Sequence, residues 1–259
     1  MAEIKVSKVM TDILHGAPVL DVLRDRASVR DYKPDEVSDE MLDAILNAAR
    51  RAPTSSNLQA YSFVVVRDAE RKQRLSVMAG NQKHIVAAPV FVAICADTHR
   101  LSGVTETVGK PLAKHHLEMT LVACIDAALV GMCASLAADS LGLGTVMIGG
   151  MRNDPAGVAA ELGLPDGVFV AFGLCVGWPN TKPEAKPRLP EDLVIHRETY
   201  HEPDLDAGLA EYENVLSEHH RHVGRDPDEP WAERVGKQFS APKREKLLAI
   251  LKERGFGFD

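Results

Sequence analysis

The sequence predicts an α+β protein in which helices cover both faces of a sheet. Four apolar, partly β-branched segments have the length of buried strands, and they lie within 62–67, 90–97, 142–150 and 168–178. Segments with the apolar spacing of helices separate them along the chain. An alternation of this kind favours a layered protein built around one sheet.

The predicted helices rest on capping residues and on apolar spacing. A first helix is expected near 16–27. Ser38 is a good N-cap for a second helix, because its hydroxyl can accept from a free backbone N–H of the first turn, and Pro53 ends that pattern. Further helices are expected at 68–79, 111–140, 154–162, 204–220 and 241–254.

The composition is that of an ordinary globular protein. The chain has 259 residues, and 30 Lys and Arg against 37 Asp and Glu give a net charge of −7. Hydrophobic residues make up 45% and charged residues 26%, which argues against a disordered or fibrous chain. An acidic chain is a poor candidate for broad nucleic-acid binding, so no nucleic-acid partner is expected.

The most apolar segment, 121–137, is interpreted as a buried helix. It is short for a membrane span and carries Asp126, so no membrane association is expected. Small residues along 111–140 fit either a dimer core or packing within the chain. The first 16 residues lack the apolar region of a secretion signal, and no pair among the four cysteines forms a CxxC motif. Buried thiols in a reducing cytoplasm are therefore expected.

The character of the chain changes after Trp178. The Pro- and Lys-rich segment 179–190 must run over a surface. The polar residues beyond it contain too few large apolar side chains for a separate domain. We therefore predict one domain overall, with a core at 1–200 and a helical extension at 201–259 that packs on the core or on a partner subunit. Within the extension, 219–230 is expected to be a charged loop.

Two charged clusters suit the binding of an anion. Arg26, Ser28 and Arg30 place two guanidinium groups and a hydroxyl at a predicted helix end. Lys186 and Arg188 place two more cations on a proline-stiffened loop. Convergent charged donors of this kind suit a phosphate monoester, whereas a solvated surface is the alternative for either cluster alone. Motifs of serine hydrolases, zinc proteases, P-loop proteins and Rossmann dinucleotide sites are absent from the sequence.

Three further segments suit a flat heterocyclic ligand. The loop 54–57 offers hydroxyl and amide groups, and Gln82 adds another amide. Gly149 and Gly150 permit a close approach of the backbone, because glycine lacks Cβ. Turn chemistry is the alternative for the loop, and a helix end is the alternative for Gln82. The order of these weak signals along the chain is what makes them informative.

That order resembles the FMN-dependent nitroreductase superfamily, in particular its NADPH-dependent oxygen-insensitive nitroreductase and flavin reductase P branch. The resemblance is strong over residues 18–200 and loose in the tail. The segments that carry it are RASVRDY (26–32), ARRAPTSSNLQ (49–59), GNQKH (80–84), SLGLGTVMIGGMRN (140–153), FGLCVGWP (172–179) and KPRLP (186–190).

The resemblance implies a three-layer α/β/α fold with a central mixed sheet, and an interlocked homodimer that binds FMN at the subunit interface. Carried over by position, Arg26, Ser28, Lys186 and Arg188 would hold the FMN phosphate. Arg30 would face the N1/O2 edge of the flavin ring. The other implied flavin contacts are Thr54, Ser55, Ser56 and Gln59, which would come from the partner subunit, together with Gln82, Ile148, Gly149 and Gly150.

The implied activity is NADPH-dependent reduction of nitroaromatics, quinones or flavins, by ping-pong hydride transfer through N5 of FMN to a small-molecule acceptor. No protein group is assigned as a general acid, and Arg30 would stabilise the anionic reduced flavin electrostatically. Preference for NADPH needs cations for the 2′-phosphate. Arg221 and Arg225 are the candidates, with a solvated turn as the alternative. The histidine-rich segment 219–222 lacks supporting carboxylate or cysteine spacing, so no metal site is expected.

Three other functions stay open at this point. One is a flavin reductase that supplies free reduced FMN, or a quinone reductase that uses the same pocket. Another is a flavin-binding storage or sensor protein without turnover, in which the N5 face would be covered. A phosphate-binding regulator without flavin is disfavoured, because several separate motifs fit a flavin.

Overall fold

The computed structural model describes residues 17–113, 115–225 and 229–258. They fall into two compact units. One unit contains residues up to Pro183 and from Arg244 onward, and the other is Glu184–Lys243. The core boundary predicted at residue 200 stays a prediction.

The described residues of the first unit form four strands and eight α-helices. The strands are β1 (Tyr61–Val66), β2 (Val90–Asp97), β3 (Gly144–Ile148) and β4 (Val168–Gly177). The helices are α1 (Pro18–Asp25), α2 (Asp39–Ala49), α3 (Ala69–Met78), α4 (Lys83–Ala87), α5 (His99–Glu106), α6 (Leu117–Ser140), α7 (Pro155–Leu162) and α10 (Leu247–Glu253). The second unit contributes α8 (Leu205–His222) and α9 (Trp231–Phe239).

The four strands form one sheet in the order β1-β2-β4-β3, and each neighbouring pair is antiparallel. A β-bulge interrupts the pairing of β2 with β4 after Ile94. The sheet was expected to be mixed. Among the described residues, parallel pairing is limited to an isolated bridge between Ser28 and Thr145, at the outer side of β3.

Two hydrophobic layers enclose the sheet, because alternate side chains of a strand point to opposite faces. Every residue of β2 is buried. Val92 and Ile94 belong to the layer that contains α2 and α6, and Phe91 and Ala93 belong to the layer that contains α3, α4 and α7. The three-layer α/β/α arrangement is therefore present, as predicted.

The cap predicted for α2 is also present. The hydroxyl of Ser38 accepts from the backbone N–H of Met41 over 3.2 Å. Leu42, Ile45 and Ala49 then present the buried side of the helix to the core. This agreement follows from a purely local signal, since the capping donor lies three residues away.

α6 is the longest helix that the described residues form. It begins at Leu117, later than the predicted residue 111. Ala123, Ala127 and Ala134 are fully buried, so the small-residue side of the helix packs within the chain. Length and hydropathy alone would let α6 cross a membrane, but half of its most apolar window is buried in the protein. Such burial is typical of a core helix.

The end of the chain returns to the core of the first unit. Leu251 and Phe256 are buried in the same layer as α6. The ring of Phe256 meets that of Phe169 edge-on, with 4.7 Å between centroids. These contacts tie the C-terminal helix α10 to the sheet.

The charged loop predicted at 219–230 is wrong over its first residues, which are helical in the second unit. His219 and His222 lie in the last turn of α8, and a further helix, α9, was not predicted. The helix continues because basic side chains are favourable near a helix C-terminus. The carboxylate of Glu213 accepts from the backbone N–H groups of Trp231 and Ala232 over 2.9 and 3.0 Å, and this contact caps α9.

The cysteines are free thiols, and their burial is less uniform than expected. Cys95 and Cys175 are buried, whereas Cys124 and Cys133 are only partly so. Burial raises the pKa of Cys95 and Cys175 to about 12, so both are protonated at neutral pH. Protonated thiols are poor nucleophiles, which makes these two groups unreactive.

Candidate functional site

The segment Arg26–Arg30 runs alongside the start of β3. Arg26 follows the last residue of α1 and has extended backbone angles. The backbone N–H of Val29 donates to the carbonyl of Thr145 over 2.9 Å, beside the bridge between Ser28 and Thr145. The sheet therefore fixes the backbone of the predicted phosphate-binding residues in this segment.

Arg26 has protein partners of its own. Its Nε donates to Ser135 Oγ over 3.3 Å and lies 3.7 Å from Asp139 Oδ2. That oxygen is buried, and it accepts no hydrogen bond from the residues that the structure describes. Burial raises the pKa of Asp139 to about 6, although Arg26 and Lys182 act in the opposite direction. Asp139, which the sequence interpretation did not include, is thus an under-satisfied acid beside a predicted phosphate ligand.

Replacing Asp139 by asparagine is expected to change the pH dependence of stability. Because the folded pKa of about 6 lies above the usual aspartate value, the native state binds this proton more tightly than the unfolded chain does. The resulting stabilisation is complete below about pH 4 and is lost as the pH rises through about 6. Across that window the free energy of unfolding of the wild type should fall by up to about 3 kcal/mol relative to the variant.

Urea unfolding of both proteins between pH 4 and pH 7 measures this difference. The quantity of interest is the change with pH, because the loss of the Arg26 ion pair shifts the variant by an offset of its own. Parallel stability curves for the two proteins would contradict the raised pKa of Asp139.

Arg30 is exposed at the end of the same segment. Burial and, to a smaller extent, the charge of Arg30 lower the pKa of His84. Gln82 immediately precedes α4, and its carbonyl accepts from the hydroxyl of Ser76 over 2.9 Å. Arg30 therefore acts electrostatically on the GNQKH segment, and its place at the flavin edge stays a prediction. His84 was not among the predicted site residues.

The loop from Thr54 to Gln59 forms a short 3-10 turn with an unusual backbone. Ser56, Asn57 and Gln59 have positive φ angles of 46°, 57° and 56°, in the left-handed region that non-glycine residues rarely adopt. The side chains of Ser55, Ser56 and Gln59 are exposed. The loop can therefore present hydroxyl and amide groups to a ligand.

Gly149 and Gly150 form a tight turn directly after β3. The buried side chain of Ile148 ends the strand, and a 3-10 turn runs from Gly149 to Arg152. A Cβ at Gly150 would lie 2.4 Å from the carbonyl oxygen of Ala79. Only glycine fits at this position, because the backbone of Ala79 occupies the space that a side chain would need. Both glycines are half-buried.

Two arginines beside this turn were missed by the sequence interpretation. Arg244 Nη2 donates to the carbonyl of Gly149 over 3.3 Å, and its Nε donates to Asn153 Oδ1 over 2.9 Å. Arg152 donates to the carbonyl of Ala171. Burial, and then the charge of Arg244, lower the pKa of Arg152. The segment GGMRN contained Arg152, but the contact with Arg244 spans 95 residues and has no local signal.

The remaining predicted residues lie in the second unit. Lys186 and Arg188 are exposed, and Arg188 Nη1 donates to the carbonyl of Lys186 over 3.1 Å. Arg221 lies in α8, with Nε 3.4 Å from the carbonyl of Ser217, and Arg225 follows the helix. Their contacts with phosphate groups stay predictions. In the described residues, no group of three or more His, Cys, Asp or Glu side chains is arranged to hold a metal ion.

Two family models account for most of the chain. The model of the nitroreductase family matches residues 23–178, and that of its C-terminal domain matches residues 186–259. The chain belongs to the nitroreductase family.

Individual nitroreductase-family proteins are similar over nearly their full lengths. The FMN reductase (NADPH) of Bacillus subtilis (strain 168) is 34% identical over 242 residues, which cover 92% of this chain and 97% of that protein. The oxygen-insensitive NADPH nitroreductase of Salmonella typhimurium is 34% identical over 241 residues, with 93% and 98% covered. The solved structure of B. megaterium NfrA2 superimposes with a TM-score of 0.90 at 37% identity, covering 93% of this chain and 99% of that one.

Membership of the nitroreductase family confirms both the predicted resemblance and the predicted fold class. The site residues on segments 26–30, 54–59, 80–84 and 148–150 all occur in the first unit. β3 connects two of these segments, since Ser28 pairs beside its start and Gly149 follows its end.

Proposed function

We propose that this chain is an FMN-dependent NAD(P)H oxidoreductase that reduces nitroaromatics, quinones or flavins. Support comes from the family of the chain and from the similarity of its sequence to an FMN reductase (NADPH) and an oxygen-insensitive NADPH nitroreductase. The observation that carries the proposal is the arrangement along β3. Cationic and hydroxyl groups lie beside the start of the strand, and a glycine turn that excludes side chains follows its end.

The residues beside β3 fit the two ends of FMN. Arg26 and Ser28 offer charged and neutral donors suited to the phosphate, and the backbone at Gly149 and Gly150 suits the flat ring. When bound, FMN supplies a group that can accept a hydride and donate it again. No amino-acid side chain provides such a group. The protein binds and orients FMN, with Lys186 proposed as a further phosphate ligand.

Arg30 supplies the electrostatic part of the proposed site. A fixed cation close to the pyrimidine edge of the flavin stabilises negative charge that develops there on reduction. Gln82 would hydrogen-bond to the same ring, the strand end at Ile148 would back it, and Arg188 would bind the phosphate. No side chain of this chain is assigned as a proton donor.

NADPH is the proposed electron donor, with Arg221 and Arg225 as ligands of its 2′-phosphate. Both side chains are exposed and positively charged, as this contact requires. Steady-state kinetics with the two coenzymes test the assignment. Equal kcat/KM values for NADH and NADPH would reject it.

A homodimer is the proposed assembly, through the outer side of α6. Leu117, Leu121, Ile125 and Leu129 recur every four residues there and are between 38% and 55% exposed. A continuous apolar stripe of this kind is typical of a protein contact surface. Light scattering should give twice the 28.2 kDa of one chain, and the mass of one chain would exclude the dimer.

The cytoplasm is the proposed location, because free cysteines are stable in a reducing compartment. Recovery of the native protein in the periplasmic fraction of cells would contradict this placement.

The visible spectrum of the purified protein tests cofactor and reaction class together. We expect flavin absorption bands, and we expect NADPH to bleach them under anaerobic conditions. Addition of nitrofurazone, free FMN or a quinone should restore the bands, and the three rates rank the acceptors. Colourless protein that takes up no added FMN would exclude the proposed function. Bands that NADPH leaves unchanged would indicate flavin binding without turnover.

A further inference from the structure

A fully buried carboxylate lies directly beneath the loop Thr54–Gln59. Asp126 is on the core side of α6 and has no exposed surface. Its Oδ1 accepts from the backbone N–H of Ser55 over 3.0 Å, and its Oδ2 accepts from the backbone N–H of Ala60 over 2.9 Å. The two oxygens of one side chain therefore hold both ends of the loop.

Burial of an acidic side chain costs free energy, so a fully buried aspartate indicates a specific role. Buried charged groups are retained where hydrogen bonds satisfy them. Most neighbours of Asp126 along α6 are apolar, and Ala123, Ala127 and Val130 are fully buried around it. An alanine in place of Asp126 would continue the small-residue side of the helix, yet it would leave two backbone donors without these acceptors.

The loop needs such support because its backbone is strained. The left-handed residues Ser56, Asn57 and Gln59 persist only where the surroundings determine the conformation. Two other contacts assist. Thr54 Oγ1 accepts from the backbone N–H of Gln59 over 3.3 Å, and Arg100 Nη2 donates to the carbonyl of Gln59 over 2.8 Å. Both assisting contacts act at Gln59, whereas Asp126 acts on the residues at either end of the strained stretch.

We propose that Asp126 is a positioning residue that fixes the backbone of the loop Thr54–Gln59 and thereby sets the affinity of the protein for FMN. The proposal rests on the proposed function, since the loop supplies flavin contacts. Within the part of the chain that the structure describes, the hydrogen bonds of the Asp126 carboxylate go to the backbone of Ser55 and Ala60. Its removal therefore affects the loop conformation without removing any group that touches the cofactor.

The variant Asp126→Asn tests the proposal at constant side-chain size. An amide group keeps one acceptor oxygen and directs an NH2 group at the other backbone N–H, so one of the two loop contacts is lost. The matched control is Thr120→Val on the same helix. Thr120 is buried, and its hydroxyl donates to the carbonyl of Gly257 over 2.7 Å, so this variant loses a buried hydrogen bond away from the loop.

Backbone hydrogen exchange of FMN-free protein is the first readout. We expect segment 54–60 to exchange about tenfold to 100-fold faster in Asp126→Asn than in wild type, as for the loss of one buried hydrogen bond. Thr120→Val should leave the exchange of this segment unchanged. Equal exchange of the segment in all three proteins would overturn the proposal.

The dissociation constant of FMN, from recovery of free-flavin fluorescence on dilution, is the second readout. It should rise at least about tenfold in Asp126→Asn and stay unchanged in Thr120→Val. An unchanged constant in Asp126→Asn would overturn the link to cofactor affinity. Wild-type protein that binds no FMN would overturn that link together with the proposed function, whereas the exchange measurement would still decide whether Asp126 fixes the loop.

A second pair of variants serves if Asp126→Asn fails to fold. Ser55→Pro removes the backbone N–H that Asp126 accepts, and Thr54 already has the extended angles that a residue before proline needs, with φ −133° and ψ 154°. Ser55→Ala removes the hydroxyl and keeps the N–H. Faster loop exchange in Ser55→Pro than in Ser55→Ala is the expected result, and equal exchange would overturn the proposal.

Discussion

Replacing Gly150 by alanine should lower the free energy of unfolding by about 3 kcal/mol and release the flavin. The added Cβ would lie 2.4 Å from the carbonyl oxygen of Ala79, and 3.2 Å from both its carbonyl carbon and its Cα. These are backbone atoms at the end of α3, so no side-chain rotation can relieve the contact. The turn after β3 must move instead. Urea unfolding and the flavin absorbance of the purified variant measure the two effects.

Gly103→Ala is the matched control. Gly103 lies in α5, and nothing would lie within 4 Å of its Cβ. Alanine should therefore raise stability there by about 0.5–1 kcal/mol, because it reduces the entropy of the unfolded chain. A Gly150 variant with wild-type stability and full flavin content would show that the turn is free to move.

Replacing Arg30 by alanine should slow the reduction of bound flavin by NADPH about tenfold to 100-fold, while FMN occupancy persists. The side chain of Arg30 is exposed, so its removal leaves the packing of Val29 and Tyr32 unchanged. What it removes is a positive charge that acts on His84. Anaerobic stopped-flow reduction measures the rate, and absorbance measures the occupancy.

Arg24→Ala provides the control for net charge. Arg24 is exposed at the end of α1, where its Nη2 lies 2.5 Å from Asp21 Oδ1. The variant Arg24→Ala should leave the reduction rate unchanged. Equal rates in wild type and Arg30→Ala at full FMN occupancy would contradict the electrostatic role of Arg30.

Local signals in the sequence were sufficient for most of the core. The continuous apolar run of β2 predicted a strand covered on both faces, and Ser38 predicted the start of α2. Both signals lie within a few residues of their effect. The direction of strand pairing carries no local signal, and the antiparallel order of the sheet was accordingly not predicted.

Contacts between residues far apart in the chain account for what the sequence did not predict. α9 begins where Glu213 caps the backbone at Trp231, 18 residues away. Asp126 reaches Ser55 across 71 residues, and Asp139 approaches Arg26 from the far end of α6. In each case the residue type was visible, but its partner depended on the folded chain.

β2 can open to solvent only when the first unit unfolds as a whole. Strands lie on both of its edges, and hydrophobic layers cover both of its faces. Its amides should therefore report global unfolding, while the edge strands β1 and β3 open through smaller fluctuations. A substitution that destabilises the whole first unit will accelerate amide hydrogen exchange in β2. A substitution that increases the local opening of a single segment will leave that exchange unchanged. The central strand thus provides an internal reference that separates global from local destabilisation.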